Sequence, residues 1–146
     1  MKYLGLDLGT KTIGLATSDK MGLIATAYKV LRHDNNPSSC LEELITIIKE
    51  NKIEALVLGL PKNMNNTLGP RAEETIKFKE LLESKINLPI YLEDERLTTK
   101  SAESLLIMGN TSRKKRKKVI DKVAATIILQ SFLDQRRKQY GWEKSI

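Results

Sequence analysis

A carboxylate within an apolar strand pattern is the first feature of the sequence that suggests chemistry. In the stretch YLGLDL the leucines stand at alternate positions, which predicts a strand over residues 2–8 and puts Asp7 on the opposite face. If the next turn is symmetric, Asp7 lies opposite Gly14, and this small neighbour leaves room for a ligand. A buried ionised carboxylate is costly unless it is paired or binds metal. We therefore interpret Asp7 as functional, the alternative being an edge-strand aspartate that faces solvent.

Two further acidic places can join Asp7. The stretch EDER, residues 93–96, ends a predicted strand over 88–95, and Asp121 lies near the start of a predicted last helix, at the edge of its apolar stripe. Each has a plain alternative: a charged strand terminus, or an aspartate that stabilises the first turn of a helix. Three carboxylates from distant segments suit a Mg²⁺ or Mn²⁺ site for phosphodiester chemistry, because these ions favour oxygen ligands. Asp19 belongs to the far end of the hairpin and is not part of this set.

Hydrophobic periodicity supplies the elements that must position these acids. The patterns predict antiparallel strands over 2–8, 13–18 and 23–31, parallel strands over 53–60 and 88–95, and helices over 38–51, 70–85, from 98 or 99 to 109, and 117–138. This order predicts an α/β fold with a mixed five-stranded sheet, three antiparallel strands and then two parallel ones, and helices on both faces. We expect a single domain over 1–138 and a C-terminal tail over 139–146.

Positive charge is concentrated in one segment. The formal net charge is +7 in 146 residues, and six consecutive cations account for nearly all of it: Arg113, Lys114, Lys115, Arg116, Lys117 and Lys118. Such a segment predicts a polyanionic partner that binds at one place. We expect it to lie outside the apolar stripe of the last helix and to be poorly ordered without substrate, because like charges repel. The alternative is a solvated loop.

Other cations and amides lie beside the predicted acids. Lys11 follows the first strand, and the long loop after residue 60 offers Lys62, Asn63 and Arg71, all of which we interpret as substrate-binding candidates. Arg96 adjoins the second acidic place and is a further candidate for a phosphate contact. Ordinary solvated turn and loop residues are the alternative at each of these positions.

The remaining composition limits the class of protein. Cys40 is the single cysteine, so no internal disulfide forms, as in proteins of a reducing compartment. No apolar run approaches the ~18 residues of a membrane span, and the N-terminus lacks the pattern of a signal peptide. We expect a cytoplasmic protein without a membrane partner.

Four stretches together resemble one known family. GLDLGTKTIGLATSD, LGLPKNMNNTLGPRAE, DERLTT and RKKRKKVIDKVAATIILQSFLD are similar to the YqgF-type family over about residues 2–138. Members are ribonuclease-H-like proteins described as Holliday junction resolvases and as pre-16S rRNA nucleases. The resemblance implies a ribonuclease-H-like fold and a Mg²⁺- or Mn²⁺-dependent nuclease whose catalytic acids and metal ligands are Asp7, Glu95 and Asp121. It further implies structured RNA or branched DNA as substrate, processing of the pre-16S rRNA 5′ end first among the activities, and a monomer or a homodimer.

Two other classes stay open at this point. GLDLGT also resembles the phosphate-binding turn of actin-like and sugar-kinase ATPases, in which Thr10, Lys11 and Thr12 would contact nucleotide. Those enzymes need two related domains and a second glycine-rich motif, which this sequence lacks. A non-catalytic RNA-binding module is the other alternative, and the presence of all three acids argues against it.

Overall fold

The computed structural model describes residues 1–61, 69–94 and 113–136, with the side chains of the last segment described from residue 123 onward. Five strands and three α-helices form in this part of the chain: β1 Tyr3–Leu8, β2 Thr12–Ser18, β3 Ala25–Arg32, α1 Leu41–Glu50, β4 Ala55–Leu60, α2 Pro70–Lys85, β5 Ile90–Asp94 and α3 Arg113–Arg136. A short 3₁₀ helix, Pro37–Cys40, leads into α1. The helix predicted to end at residue 109 lies outside the described residues.

The strands form one mixed sheet in the order β3-β2-β1-β4-β5. β1, β2 and β3 are antiparallel neighbours, whereas β4 and β5 run parallel to β1. The predicted pairing of the first hairpin is confirmed, because Asp7 lies opposite Gly14 and Gly5 lies opposite Ala16. The three parallel strands therefore end at the same edge of the sheet, which is where ligands bind in open α/β sheets.

One face of the sheet carries large aliphatic side chains and packs against α1 and α2. The strand residues buried on this face are Leu4, Leu6, Leu8, Ile13, Leu15, Leu31, Leu56 and Leu58. Leu44 and Ile48 of α1 and Phe78 and Leu82 of α2 belong to the same cluster. This face is the larger part of the core, and it fixes the sheet on which the site is built.

The other face carries smaller side chains and packs against α3. A Cβ atom at Gly5 would lie 2.8 Å from the Leu129 Cβ and 3.2 Å from the Ala125 carbonyl oxygen, so only glycine allows the helix to come this close. The space above Gly5 is therefore filled by α3 and is not open to a ligand. Helices on both faces are confirmed.

The start of α3 differs from the sequence prediction. The helix begins at Arg113 rather than near residue 117, so all six residues of the segment Arg113–Lys118 are helical. Lysine and arginine are good helix formers, and this preference outweighs the repulsion among them. Asp121 consequently lies in the third turn, which removes the interpretation of it as a first-turn residue that stabilises the helix dipole. No helix in the described part of the chain has the length and apolar run of a membrane span.

Candidate active site

Asp7 lies at the shared carboxyl edge of the parallel strands. It is the next-to-last residue of β1, it is partly buried, and its strand position puts it on the α3 face of the sheet. The neighbouring strand β2 presents only Gly14 beside it. A carboxylate at this position is held by a rigid strand and is accessible from the edge of the sheet.

Two predicted substrate-binding cations lie at the same edge. The Arg71 guanidinium donates a hydrogen bond of 3.3 Å to the carbonyl oxygen of Leu8, the residue that follows Asp7. Lys11 is exposed in the turn between β1 and β2. Its carbonyl oxygen accepts a 2.9 Å hydrogen bond from the backbone N–H of His33, which fixes the turn. The structure thus places both residues at the edge of the sheet where β1 ends.

The backbone of Asp121 lies at the level of Asp7. α3 runs antiparallel to β1, since Ala125 lies against Gly5 whereas Phe132 packs on Tyr3 with ring centroids 5.6 Å apart. Four helical residues advance about 6 Å, and two strand residues advance about 6.6 Å. The backbone of Asp121, one turn before Ala125 on the helix, therefore lies level with that of Asp7, two residues after Gly5 on the strand.

The third predicted acid follows the described end of β5. Asp94 is the last described residue of this strand, and it pairs with Leu60, the last residue of β4. Asp94 thus lies at the same edge of the sheet, and Glu95 comes directly after it in the sequence. Glu95 itself lies outside the described residues, as do Lys62, Asn63 and Arg96. Among the side chains that the structure describes, no three acids, histidines or cysteines form a group that could hold a metal.

Glu93 links β5 to α3 through hydrogen bonds that the sequence analysis did not predict. Its carboxylate accepts hydrogen bonds from Gln135 Nε2 at 3.0 Å and from Ser131 Oγ at 3.4 Å. Burial raises the pKa of the Glu93 carboxyl, and the hydrogen bonds from Gln135 and Ser131 oppose this rise. Glu93 therefore holds the strand that leads to Glu95 against the helix that carries Asp121. The sequence signal was present, because Glu93 opens the acidic stretch at the strand end.

The hexabasic segment forms the start of α3, on the N-terminal side of Asp121. Arg113–Lys118 ends three residues before Asp121 on the same helix. At a rise of 1.5 Å per residue, its backbone lies roughly 5–12 Å further along the helix axis than that of Asp121. The helix runs antiparallel to β1, so this direction leads away from the sheet past its carboxyl edge.

The sequence as a whole matches one family. The family model described as "RuvX: Holliday junction resolvase" matches residues 1–135. The chain belongs to the RuvX family. A relative from Geobacillus sp. (strain WCH70), named "Putative pre-16S rRNA nuclease", is 51% identical over 138 residues, which cover 94% of this chain and 100% of the relative. A relative of the same name from Listeria monocytogenes serotype 4b (strain CLIP80459) is 50% identical over 135 residues, covering 92% of this chain and 98% of the relative. The resemblance inferred from the four sequence stretches is confirmed.

Solved structures share the fold of this RuvX chain. T. thermophilus RuvC in complex with a Holliday junction substrate superposes with a TM-score of 0.55 at 14% identity, covering 93% of this chain and 96% of RuvC. The Fowlpox virus resolvase in complex with Holliday junction DNA gives a TM-score of 0.55 at 12% identity, covering 92% of this chain and 98% of the resolvase. At such identities the likeness shows the fold, which is ribonuclease-H-like, and it confirms the predicted fold class.

Proposed function

We propose that this RuvX chain is a metal-dependent nuclease that hydrolyses phosphodiester bonds, with the precursor of 16S rRNA as its main substrate. The observation that carries the proposal is the position of Asp7 at the shared carboxyl edge of β1, β4 and β5, level with the backbone of Asp121. The names of the relatives at about half identity support the RNA substrate. Asp7, Glu95 and Asp121 are the proposed catalytic acids.

These three acids are also the proposed ligands of Mg²⁺ or Mn²⁺. The fit rests on Asp7, a partly buried carboxylate whose neighbour on β2 is a glycine, so that side-chain bulk from this strand does not fill the space beside it. When bound, such an ion activates water and stabilises the leaving oxygen. The chain's own part is to hold the carboxylates on a rigid strand and helix, and to place Arg71 and Lys11 where they bind phosphate oxygens.

We assign binding of the nucleic-acid backbone to the hexabasic start of α3. Six cations at the positive end of a helix dipole repel one another and the dipole, and a polyanion relieves both effects. Because six consecutive helical residues span more than a full turn, about half of them can face one strand. Changing Lys114, Lys115, Arg116 and Lys117 to Gln keeps helix propensity and removes the charge.

The salt dependence of affinity tests this assignment. We expect the slope of log affinity against log salt to flatten by roughly two units on any nucleic acid, since phosphate contacts carry little sequence information. Affinity is measured at several salt concentrations on one RNA and one junction DNA. Unchanged slopes on both would place the binding path elsewhere on the molecule.

Cleavage of branched DNA is the second candidate function. It is favoured by the family description as a Holliday junction resolvase and by the ribonuclease-H-like fold shared with resolvases. A four-way junction suits a homodimer, whereas trimming of an RNA end suits a monomer. We also propose that the domain ends near residue 138, before the tail over 139–146, and that the protein acts in the cytoplasm, in keeping with its buried free thiol at Cys40.

One comparison separates the two substrates. The same preparation is incubated with precursor 16S rRNA and with a four-way DNA junction in Mn²⁺ and in Mg²⁺, and Asp7→Asn protein serves as the blank. We expect cleavage of the precursor RNA that the variant lacks. Cleavage of the junction alone would assign the resolvase function, and binding without cleavage of either substrate would contradict the nuclease proposal.

A further inference from the structure

A cleft of about 330 Å³ opens beside the candidate active site, on the α1/α2 side of the sheet. Three segments line it: the turn residues Gly9 and Thr10, the loop Asn35–Ser38, and one side of α2. Gly9 follows Asp7 by two residues, so this part of the cleft lining lies within roughly 7 Å of the Asp7 backbone. A strand whose phosphate lies at Asp7, on the α3 face, can place its neighbouring nucleotide at the cleft by crossing the end of β1 at Gly9.

The lining of the cleft combines an apolar part with groups that form hydrogen bonds. Leu81 supplies apolar surface from α2 with the buried Phe78 behind it, and Glu74 and Lys77 of the same helix supply a carboxylate and an ammonium group. Nucleobases are recognised by such combinations, in which an apolar or aromatic surface contacts the ring and polar groups meet its edge. A site for phosphate alone would not place a carboxylate in the lining.

The loop wall of the cleft is ordered by its own hydrogen bonds. The Asn36 backbone N–H donates to Nδ1 of His33 at 3.1 Å, and the Asn36 carbonyl oxygen accepts from Ser39 Oγ at 2.8 Å. The Asn36 Oδ1 accepts from the Ser38 hydroxyl, which leaves the Nδ2 amino group as the donor that the side chain can offer a ligand. The His33 N–H in turn bonds to Lys11, so the wall is connected to the turn at the active site.

We propose that this cleft binds the base of an unpaired nucleotide next to the phosphodiester bond that is cut. The proposal rests on the proposed nuclease function and adds a substrate requirement to it. A base within a duplex keeps its pairing edge and both ring faces covered, and it enters a pocket only after it leaves the stack. The enzyme therefore prefers substrates with an unpaired residue beside the cleavage site, such as a single-stranded precursor end.

Binding of mononucleotides tests the cleft without catalysis. The full chain, kept free of metal with EDTA, is titrated with the four nucleoside 5′-monophosphates while amide NMR signals are recorded. We expect shifts at Thr10, Asn36 and Lys77. The double variant Glu74→Gln/Lys77→Gln should lose at least about fivefold in affinity, because it removes charged hydrogen-bonding groups from the lining. The matched control Glu80→Gln/Lys85→Gln removes the same charges from exposed positions of α2 outside the cleft and should bind as the wild type does.

Two results of the titration would overturn the proposal. One is the absence of shifts at the cleft, and the other is an equal response to inorganic phosphate, which would show that the base is not recognised. Because this titration needs no cleavage, it decides the cleft even if the nuclease function fails.

Cleavage of a modified substrate gives the second test. A single-stranded RNA that lacks one base beside the cut should show a KM raised at least about fivefold over the intact RNA. For the Glu74→Gln/Lys77→Gln variant, KM should differ little between the intact RNA and the RNA that lacks the base. Equal cleavage of both RNAs by the wild-type protein would contradict the proposal.

Discussion

Asp7 and Asp19 lie at opposite ends of the same β-hairpin and have different surroundings. The Oδ1 atom of Asp19 accepts hydrogen bonds from the backbone N–H groups of Leu23 at 2.7 Å and Ile24 at 3.0 Å, so this carboxylate closes a turn. Asp7 stands within β1, on the face covered by α3, at the edge where three parallel strands end. An aspartate thus closes a local turn at one end of the hairpin, whereas at the other end the topology of the sheet places an aspartate where three strands end.

The largest expected effect separates the two aspartates directly. Asp7→Asn should reduce cleavage by roughly a thousandfold or more while nucleic-acid affinity stays nearly unchanged, because the amide keeps the shape and loses the charge that holds the cation. Asp19→Asn is the matched control, and its cleavage rate should equal that of the wild type. The measurements are cleavage rates and equilibrium binding on the same RNA. Normal cleavage by Asp7→Asn protein would make Asp7 a structural residue, like Asp19.

The second prediction concerns the helix that covers Asp7. Gly5→Ala puts a Cβ 2.8 Å from the Leu129 Cβ, so α3 must move away from β1. We expect a stability loss of about 1–3 kcal/mol. Because the helix carries Asp121, a displacement of about 1 Å should lower cleavage by up to roughly a hundredfold.

A change in the opposite face of the sheet is the control for this effect. Leu44→Ala makes a cavity between α1 and the sheet and should cost about 2–5 kcal/mol, more than Gly5→Ala. Cleavage per folded molecule should nevertheless stay normal, because α3 is untouched. Urea unfolding gives the stabilities, and rates are compared under conditions where both variants are folded. An activity loss that simply follows stability in both variants would show that the spacing of α3 and β1 has no special role.

Local pattern predicted most of this architecture, and the exceptions have physical reasons. The register that pairs Asp7 with Gly14 followed from alternation and a short turn, which are local properties. The role of Gly5 did not, because the groups that fill its space, Ala125 and Leu129, are more than a hundred residues away in the sequence. The start of α3 was missed because charge repulsion and helix propensity oppose each other in the hexabasic segment, and the sequence alone does not show which prevails.

The candidate site divides in the same way. Asp7, Lys11 and Arg71 were identified from strand ends and loop composition, and the structure brings them to one edge. The hydrogen bonds from α3 to Glu93 and the cleft beside Gly9 depend on how separate elements pack. The hydrophobic periodicity of a single segment does not predict such contacts. The sequence therefore predicts the residues that one strand end or loop presents, whereas contacts between separate elements are found only in the structure.

The smallest expected effect concerns the pH dependence of stability at the Asp19 turn. The hydrogen bonds from the backbone N–H groups of Ile24 and then Leu23 lower the pKa of the Asp19 carboxyl below its usual value. The stability that this ionised group contributes is therefore present above the pKa of an unfolded aspartate, and it is lost as the pH falls through the lowered value in the folded protein. Asp19→Asn lacks this contribution, so wild type and variant should differ at neutral pH and converge in acid. Urea midpoints over that pH range, in EDTA, measure the difference. If the difference stays constant with pH, the charge of Asp19 does not stabilise the turn. The contrast with Asp7 would then rest on the two backbone hydrogen bonds that Asp19 accepts, and not on its ionisation.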